Sequence, residues 1–120
     1  MIILTLMTLL ILKHFIIDFP VQTPYQWMNK GTYGHPGGIL HAGLHGVGTF
    51  LVFSIFVVFP WALFLGVLDM VIHYHVDWLK MNINKKYGWK ADTHPEFWIA
   101  LGLDQLAHYL TYVLLIWIIL

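Results

Sequence analysis

The chain has no cysteine and no arginine, and only 10% of its 120 residues are charged, against about 25% in ordinary soluble domains. Without cysteine there are no disulfides and no thiolate metal ligands. Without arginine, and with six lysines balanced by six acids, there is no basic arm or patch, which argues against nucleic acid as a partner. Serine or cysteine nucleophile motifs are also missing, so covalent catalysis has no support.

Hydrocarbon fills the place of the missing charge. The composition is 59% hydrophobic and 17% aromatic, with mean hydropathy +0.73. One domain is expected at this length. The N-terminal stretch MIILTLMTLLILKHF lacks a basic start and a small-residue cleavage site, so it reads as a retained membrane helix. Pro20 and Pro24 end that helix, because each lacks an N–H and restricts the residue before it. The apolar run from Ile39 to Ile72 is too long for a single crossing of ~30 Å of hydrocarbon. Pro60 and Trp61 offer the break, a tight hairpin. Lys80–His94 is the most polar stretch and reads as a loop, with or without a short interfacial helix, and Pro95 suits the first turn of a last helix. The expectation is an all-α integral membrane protein: one antiparallel bundle of four transmembrane helices at about 1–18, 39–59, 61–79 and 96–120. Ala42, Gly43, Gly46 and Gly48 would let a neighbouring helix approach the second span closely.

All six lysines (Lys13, Lys30, Lys80, Lys85, Lys86 and Lys90) fall on one side of such a bundle, and the hairpin at Pro60 has none. The positive-inside rule then puts both loops in the cytoplasm and both termini outside. The lysines read mostly as interface anchors; Lys80, three residues after Asp77, is placed to pair with it.

The stretch Leu65–Lys80, LGVLDMVIHYHVDWLK, carries Asp69, His73 and Asp77 on one helical face inside an apolar segment. Such groups are costly in a bilayer unless they pair, face protein or bind an ion. Each predicted span carries a pair of this kind at i, i+4: His14 with Asp18, His41 with His45, His73 with Asp77, Asp104 with His108. Chance placement of His and Asp would give about 1.7 histidines with such a partner; five of the eight have one. In an antiparallel bundle all four pairs also lie toward the lysine-rich end. Imidazoles and carboxylates converging from facing helices form metal sites, and this donor mixture suits Zn²⁺, Mn²⁺ or Fe²⁺. The candidate ligands are His41, His45, His73, Asp77, Asp104 and His108; His14, Asp18, Asp77 and Asp104 are candidate catalytic groups. Gln22, Lys80 and Gln105 would line a substrate mouth. Asp69 is either a ligand or a satisfied buried acid, and His35, His75 and His94 read as hydrogen-bonding histidines outside the site.

The segments HFIIDFPVQ (His14–Gln22), LHAGLH (Leu40–His45), HYHVDWLK (His73–Lys80) and LDQLAHYL (Leu103–Leu110), with Lys30 between the first two, resemble the family known as domain of unknown function 3307. These are small bacterial and phage membrane proteins. The resemblance implies a bacterial inner-membrane location, and it implies that His14, Asp18, Gln22, His41, His45, His73, Asp77, Lys80, Asp104, Gln105 and His108 are motif positions. Asp69 and His75 fall outside the pattern. A looser likeness to membrane-bound metal-dependent hydrolases implies hydrolysis of a lipid or lipid-linked substrate at the cytoplasmic interface. Two alternatives stand beside it. One is a metal-ion or proton transport element, which with so few spans requires a homo-oligomer. The other is a structural subunit of a larger membrane complex.

Overall fold

Four of the five prolines open helices. Pro24, Pro36, Pro60 and Pro95 each occupy the first turn of a helix, where a missing N–H costs nothing and the fixed φ is already helical. The computed structural model describes residues 1–120: five α-helices and no strand, α1 Ile2–Asp18, α2 Pro24–Trp27, α3 Pro36–Ser54, α4 Phe59–Tyr87 and α5 Pro95–Ile119. Helices α3, α4 and α5 are long and apolar enough to cross a membrane. Helix α1, with 17 residues, is about 25 Å long and falls short of that length.

The four long helices form a closed ring in which α1 and α4 each pack against α3 and α5, while α2 lies against α3. Successive helices run antiparallel. One end gathers the close of α1, the opening of α3, the second half of α4 and the first half of α5; the other end holds both termini. Helices α3 and α4 are in close contact at Gly46 and Gly66. A Cβ on Gly66 would lie 2.7 Å from the Gly46 carbonyl oxygen and 2.9 Å from Phe50 Cβ.

Helices α3 and α4 differ from the sequence expectation at both ends. Helix α3 starts at Pro36, with His35 as N-cap accepting from Gly37 N at 3.0 Å, and ends at Ser54. The turn is therefore Ile55–Val58, and Pro60 opens α4 where a hairpin at Pro60 was expected. Helix α4 then runs on to Tyr87, through residues expected to be loop. Nothing from Lys80 to Tyr87 breaks a helix, and Gly88, at φ 66°, supplies the left-handed cap that stops it. Lys85 and Lys86 in the last turn complement the carbonyl end, and Asn82 donates to Gly31 O at 2.9 Å, tying the extension to the first connection.

The interior is divided along its length. At the terminal end, Leu6, Leu10, Phe53, Ala62, Leu65, Tyr112, Leu115 and Ile116 form a continuous apolar core. At the other end the buried residues are His14, Asp18, Gln26, Lys30, His41, His45, His73, Asp77, Asp104 and His108. Buried polar side chains outnumber buried hydrophobic ones in the chain as a whole, fifteen to ten.

Candidate metal centre

All four i, i+4 pairs meet in this polar half. Asp18, the last residue of α1, is its hub. Its Oδ1 lies 2.8 Å from His45 Nε2 and 3.1 Å from His41 Nε2 on α3, and 3.9 Å from His73 Nε2 on α4. Its Oδ2 meets His14 Nε2 at 3.0 Å and Gln105 Nε2 at 3.3 Å. Asp77 is the second hub. Its Oδ2 lies 3.1 Å from His73 Nε2, 3.3 Å from His41 Nε2 and 3.5 Å from Lys30 Nζ, yet none of these is aligned as a hydrogen bond and the atom is left unpartnered. Its Oδ1 accepts from His108 Nε2 at 3.2 Å. The rings of His45, His73 and His108 stack in a column, with centroids 3.6 and 3.9 Å apart.

Two groups here are capable of holding a metal ion. Asp18, His41, His45 and His73 each offer a ligand atom, all within 4.8 Å of one another, and so do His73, Asp77 and His108; every one of these residues is buried. A tetrahedral ion with bonds of ~2.0–2.1 Å places its ligands about 3.3–3.4 Å apart. The observed His41–His73 separation of 3.3 Å and the His41–Asp18 and His41–Asp77 separations of 3.1 and 3.3 Å are near that edge length.

The hydrogen bonds around His41 strengthen the case. Its Nδ1 lies 3.1 Å from Gln26 Oε1, an oxygen that only accepts, so Nδ1 carries the hydrogen. With one proton on the ring, Nε2 turns a lone pair toward two carboxylates and another imidazole. That arrangement is repulsive without a cation, proton or metal, in the middle. Charge counting agrees. Lys13 pairs with Asp69 at 3.0 Å, Lys30 with Asp77 at 3.5 Å and Lys80 with Asp104 at 3.3 Å. Asp18, the fourth buried acid, has only histidines and Gln105 around it. With every histidine neutral the cluster is one positive charge short, and a proton on His41 or His108 supplies that charge as a bound ion would.

His45 is differently placed. Lys13 Nζ stands 3.4 Å from its Nδ1. An ammonium there favours a lone pair on Nδ1, which leaves the hydrogen on Nε2, in the 2.8 Å contact with Asp18 Oδ1. His45 is thus arranged to hold Asp18, and His41 to bind. His14 has both ring nitrogens engaged, Nε2 with Gln105 Oε1 at 2.7 Å and Nδ1 with the Tyr112 hydroxyl at 2.8 Å. His14 and Asp104 belong to neither ligand group.

The mouth residues sit as follows. Gln22 ties Asp18 O to Lys30 Nζ, at 2.7 and 3.0 Å. Gln105 lies inside, joining Asp18 to Asp104. Lys80 pairs with Asp104, not with Asp77 as its spacing suggested, because Lys30 reaches Asp77 from the first connection. Lys13 and Lys30 are buried where interface anchors were expected. Asp69 is a satisfied acid: it accepts from Lys13 and, at 2.5 Å, from Thr49. His75 is exposed, bonded to Tyr33 and Val71 O, and His94 bonds to Thr93 and Lys90 N. Gln26, Thr49 and Tyr112 join the network without a signal in the sequence beyond a single polar group each.

No curated protein and no solved structure matches this chain. A family described as protein of unknown function (DUF3307) matches residues 6–120, which takes in every site residue above and nearly all of the bundle. By that match the chain belongs to the DUF3307 family.

Proposed function

We propose that the chain is a four-span integral membrane protein whose polar half binds one divalent transition-metal ion, Zn²⁺, Mn²⁺ or Fe²⁺, and uses it to hydrolyse a lipid or lipid-linked substrate. The observation that carries this reading is the buried convergence of Asp18, His41 and His73 from three helices, their ligand atoms within 4.8 Å of one another. In this reading His41, His73 and Asp18 are the ligands and His45 keeps Asp18 in place. Three protein ligands leave a position open for water or substrate, as in catalytic rather than structural sites. A divalent ion so held supplies Lewis acidity and makes water a better nucleophile at neutral pH. Around it the chain has more proton-handling groups than an ion needs for binding. His108, between Asp77 and Asp104, is placed to give a proton to a leaving group, and Asp77 Oδ2, unpartnered, is placed to take one.

Four spans rather than three are supported by α1 itself. Ile2, Ile3, Leu4, Leu12, Phe15 and Ile16 are exposed along it, an apolar surface too large to face water. Placing the polar end in the cytoplasm is supported by Lys85, Lys86 and Lys90, exposed there, with no lysine at the other end. Transport ranks below hydrolysis because the polar network stops at Lys13, Thr49, Asp69 and Tyr112, and the core beyond is hydrocarbon.

The test is elemental analysis of protein purified in detergent without chelator. About one transition-metal ion per chain is expected; a near-zero content would falsify the reading.

A further inference from the structure

The candidate ligands are buried, and part of what lies over them at the lysine-rich end is the connection between α1 and α3. Gln26 and Lys30, four residues apart on that connection, are buried and reach into the cluster. Gln26 Oε1 lies 3.1 Å from His41 Nδ1. Lys30 Nζ stands 3.5 Å from Asp77 Oδ2 and 3.0 Å from Gln22 Oε1. Tyr25, Trp27 and Met28, on the same stretch, are exposed. Nothing apolar cements α2 to the bundle: Gln26 is its single buried residue, and it packs against α3 and no other helix. A segment with so few buried apolar contacts belongs to the part of a protein that opens at low cost.

Both ends of the connection are tied down. Val21 N donates to Ile16 O at 3.1 Å; Asn82 donates to Gly31 O at 2.9 Å, and Gly34 N to the Tyr74 hydroxyl at 2.6 Å. The stretch left to move is 22–30, and a pair of glycines in the first turn of α3 seats it. A Cβ on Gly37 would collide with the Tyr25 carbonyl oxygen and lie 3.1 Å from Asn29 Cβ; one on Gly38 would lie 3.0 Å from Lys30 Cα. Neither glycine has a positive φ, so turn geometry does not call for them, and glycine is the poorest helix former after proline. Their missing side chains make room for the connection.

We infer that residues 22–30 are a cover over the polar half, seated on Gly37 and Gly38, and that water and cations reach His41 and Asp77 when it lifts. Lifting takes Gln26 from His41 and the Lys30 ammonium from Asp77 together. The site therefore loses a positive charge as it opens, which favours capture of a cation. The inference concerns access to the polar half and holds with or without an ion there; its consequence for metal exchange rests on the metal reading.

The chain has no cysteine, so a single introduced thiol reports access. His41→Cys puts that thiol beneath Gln26, and a charged, membrane-impermeant methanethiosulfonate labels it in the full chain in detergent with chelator present. With the cover in place, labelling should be at least a hundredfold slower than at Thr32→Cys, an exposed position. Gly37→Ala and, independently, Gly38→Ala should speed labelling at position 41 at least tenfold, although alanine strengthens α3 as a helix. Gly43→Ala, where a Cβ meets open space, should leave the rate unchanged. Equal rates at positions 41 and 32, or no faster labelling in either cover variant than in Gly43→Ala, overturns the inference. So does labelling of Ala62→Cys, in the apolar core, in both cover variants, because the whole bundle would then be opening. Metal content of the cysteine-free protein keeps the two readings apart. Where an ion is bound, chelator should strip it at least tenfold faster from Gly37→Ala than from Gly43→Ala, and equal stripping overturns the cover as its gate; an ion-free parent removes the metal centre and leaves the cover to be decided by the thiol rates.

Discussion

The two halves of this bundle are built from the same four helices and hold together by different forces. The terminal half is hydrocarbon against hydrocarbon. Leu6, Leu10, Phe53, Leu65 and Leu115 are fully buried there, and its stability depends on how well their volumes fit. The lysine-rich half buries acids, imidazoles, lysines and amides at comparable depth, and its stability depends on every charge having a partner. Removing a methyl group should matter in the first half and removing a charge in the second. If the polar half existed only to glue helices together, its groups would be satisfied without help. Instead Asp18 lacks a lysine, and Asp77 Oδ2 and His73 Nδ1 have no hydrogen bond. The apolar half is complete as it stands, while the polar half keeps buried groups without a partner.

The hub offers the largest effect. Asp18→Ala removes the one ligand that touches both the His41 and His14 sides of the cluster. Metal affinity should fall at least about a thousand-fold, about 4 kcal/mol, read as lost stoichiometry by elemental analysis after dialysis. His41→Ala should fall as far, and His45→Ala only about 10–100-fold, the scale of an orienting partner. Equal loss in the two histidine variants would mean that both are ligands and that the Lys13 contact does not set His45 apart.

The boundary between the halves is the Lys13–Asp69 pair, at 3.0 Å and with both side chains buried. Lys13→Met leaves Asp69 with Thr49 as its one remaining hydrogen-bond donor. The expected cost is about 3–5 kcal/mol, and the double variant with Asp69→Leu should recover most of it. Thermal unfolding in detergent measures both. A single variant as stable as the parent would show that Asp69 does not need its lysine. Lys13 also shows what the sequence withholds. Read along the chain it is a lysine near the end of a span, and such residues ordinarily reach outward to the interface. It turns inward because Gly48 on α3 leaves room for its stem: a Cβ there would sit 2.7 Å from Lys13 Cγ.

The same contrast runs through the rest of the site. The four polar pairs were legible because i, i+4 spacing is a local property of a helix, and their shared end followed from alternating helix direction. Partner choice was not legible, since it depends on which side chains cross between elements. Lys30 and Gln26 arrive from a connection with no periodicity, and so Asp77 and His41 acquire partners that no spacing announces. Asp69 lies on the His73 face but one turn deeper, where Lys13 meets it before any metal site does. Helix ends were legible only where a breaker stands. Proline was read as an end at position 60 although it opens a helix there, and the absence of a breaker before Gly88 carries α4 through a stretch whose polarity looked like loop.

In the apolar half, Leu65→Ala should cost about 2–5 kcal/mol through lost contacts and the cavity left behind. Leu65 is fully buried in the apolar cluster, one turn from Asp69 and two from the nearest proposed ligand, His73, so metal content should stay at the parent level. A drop in both would mean that the halves are coupled through α4, whose Asp69, His73 and Asp77 lie one, two and three turns beyond Leu65.

The smallest and most discriminating change is Gln26→Leu. Gln26 touches no proposed substrate; its one side-chain bond to the cluster is Oε1 accepting from His41 Nδ1 at 3.1 Å. If His41 is a ligand, that bond fixes which nitrogen is free to bind, and losing it should weaken metal affinity about 10-fold, the low end of the range for groups that orient a ligand. Gln26→Glu keeps an acceptor at the same place and should restore binding, so a purely structural role is separated from an orienting one. If His41 instead carries two protons and the polar half is packing alone, Gln26→Leu lowers stability by about the 1 kcal/mol of one buried hydrogen bond and leaves metal content unmoved, and the two halves of the bundle then differ in polarity without differing in purpose.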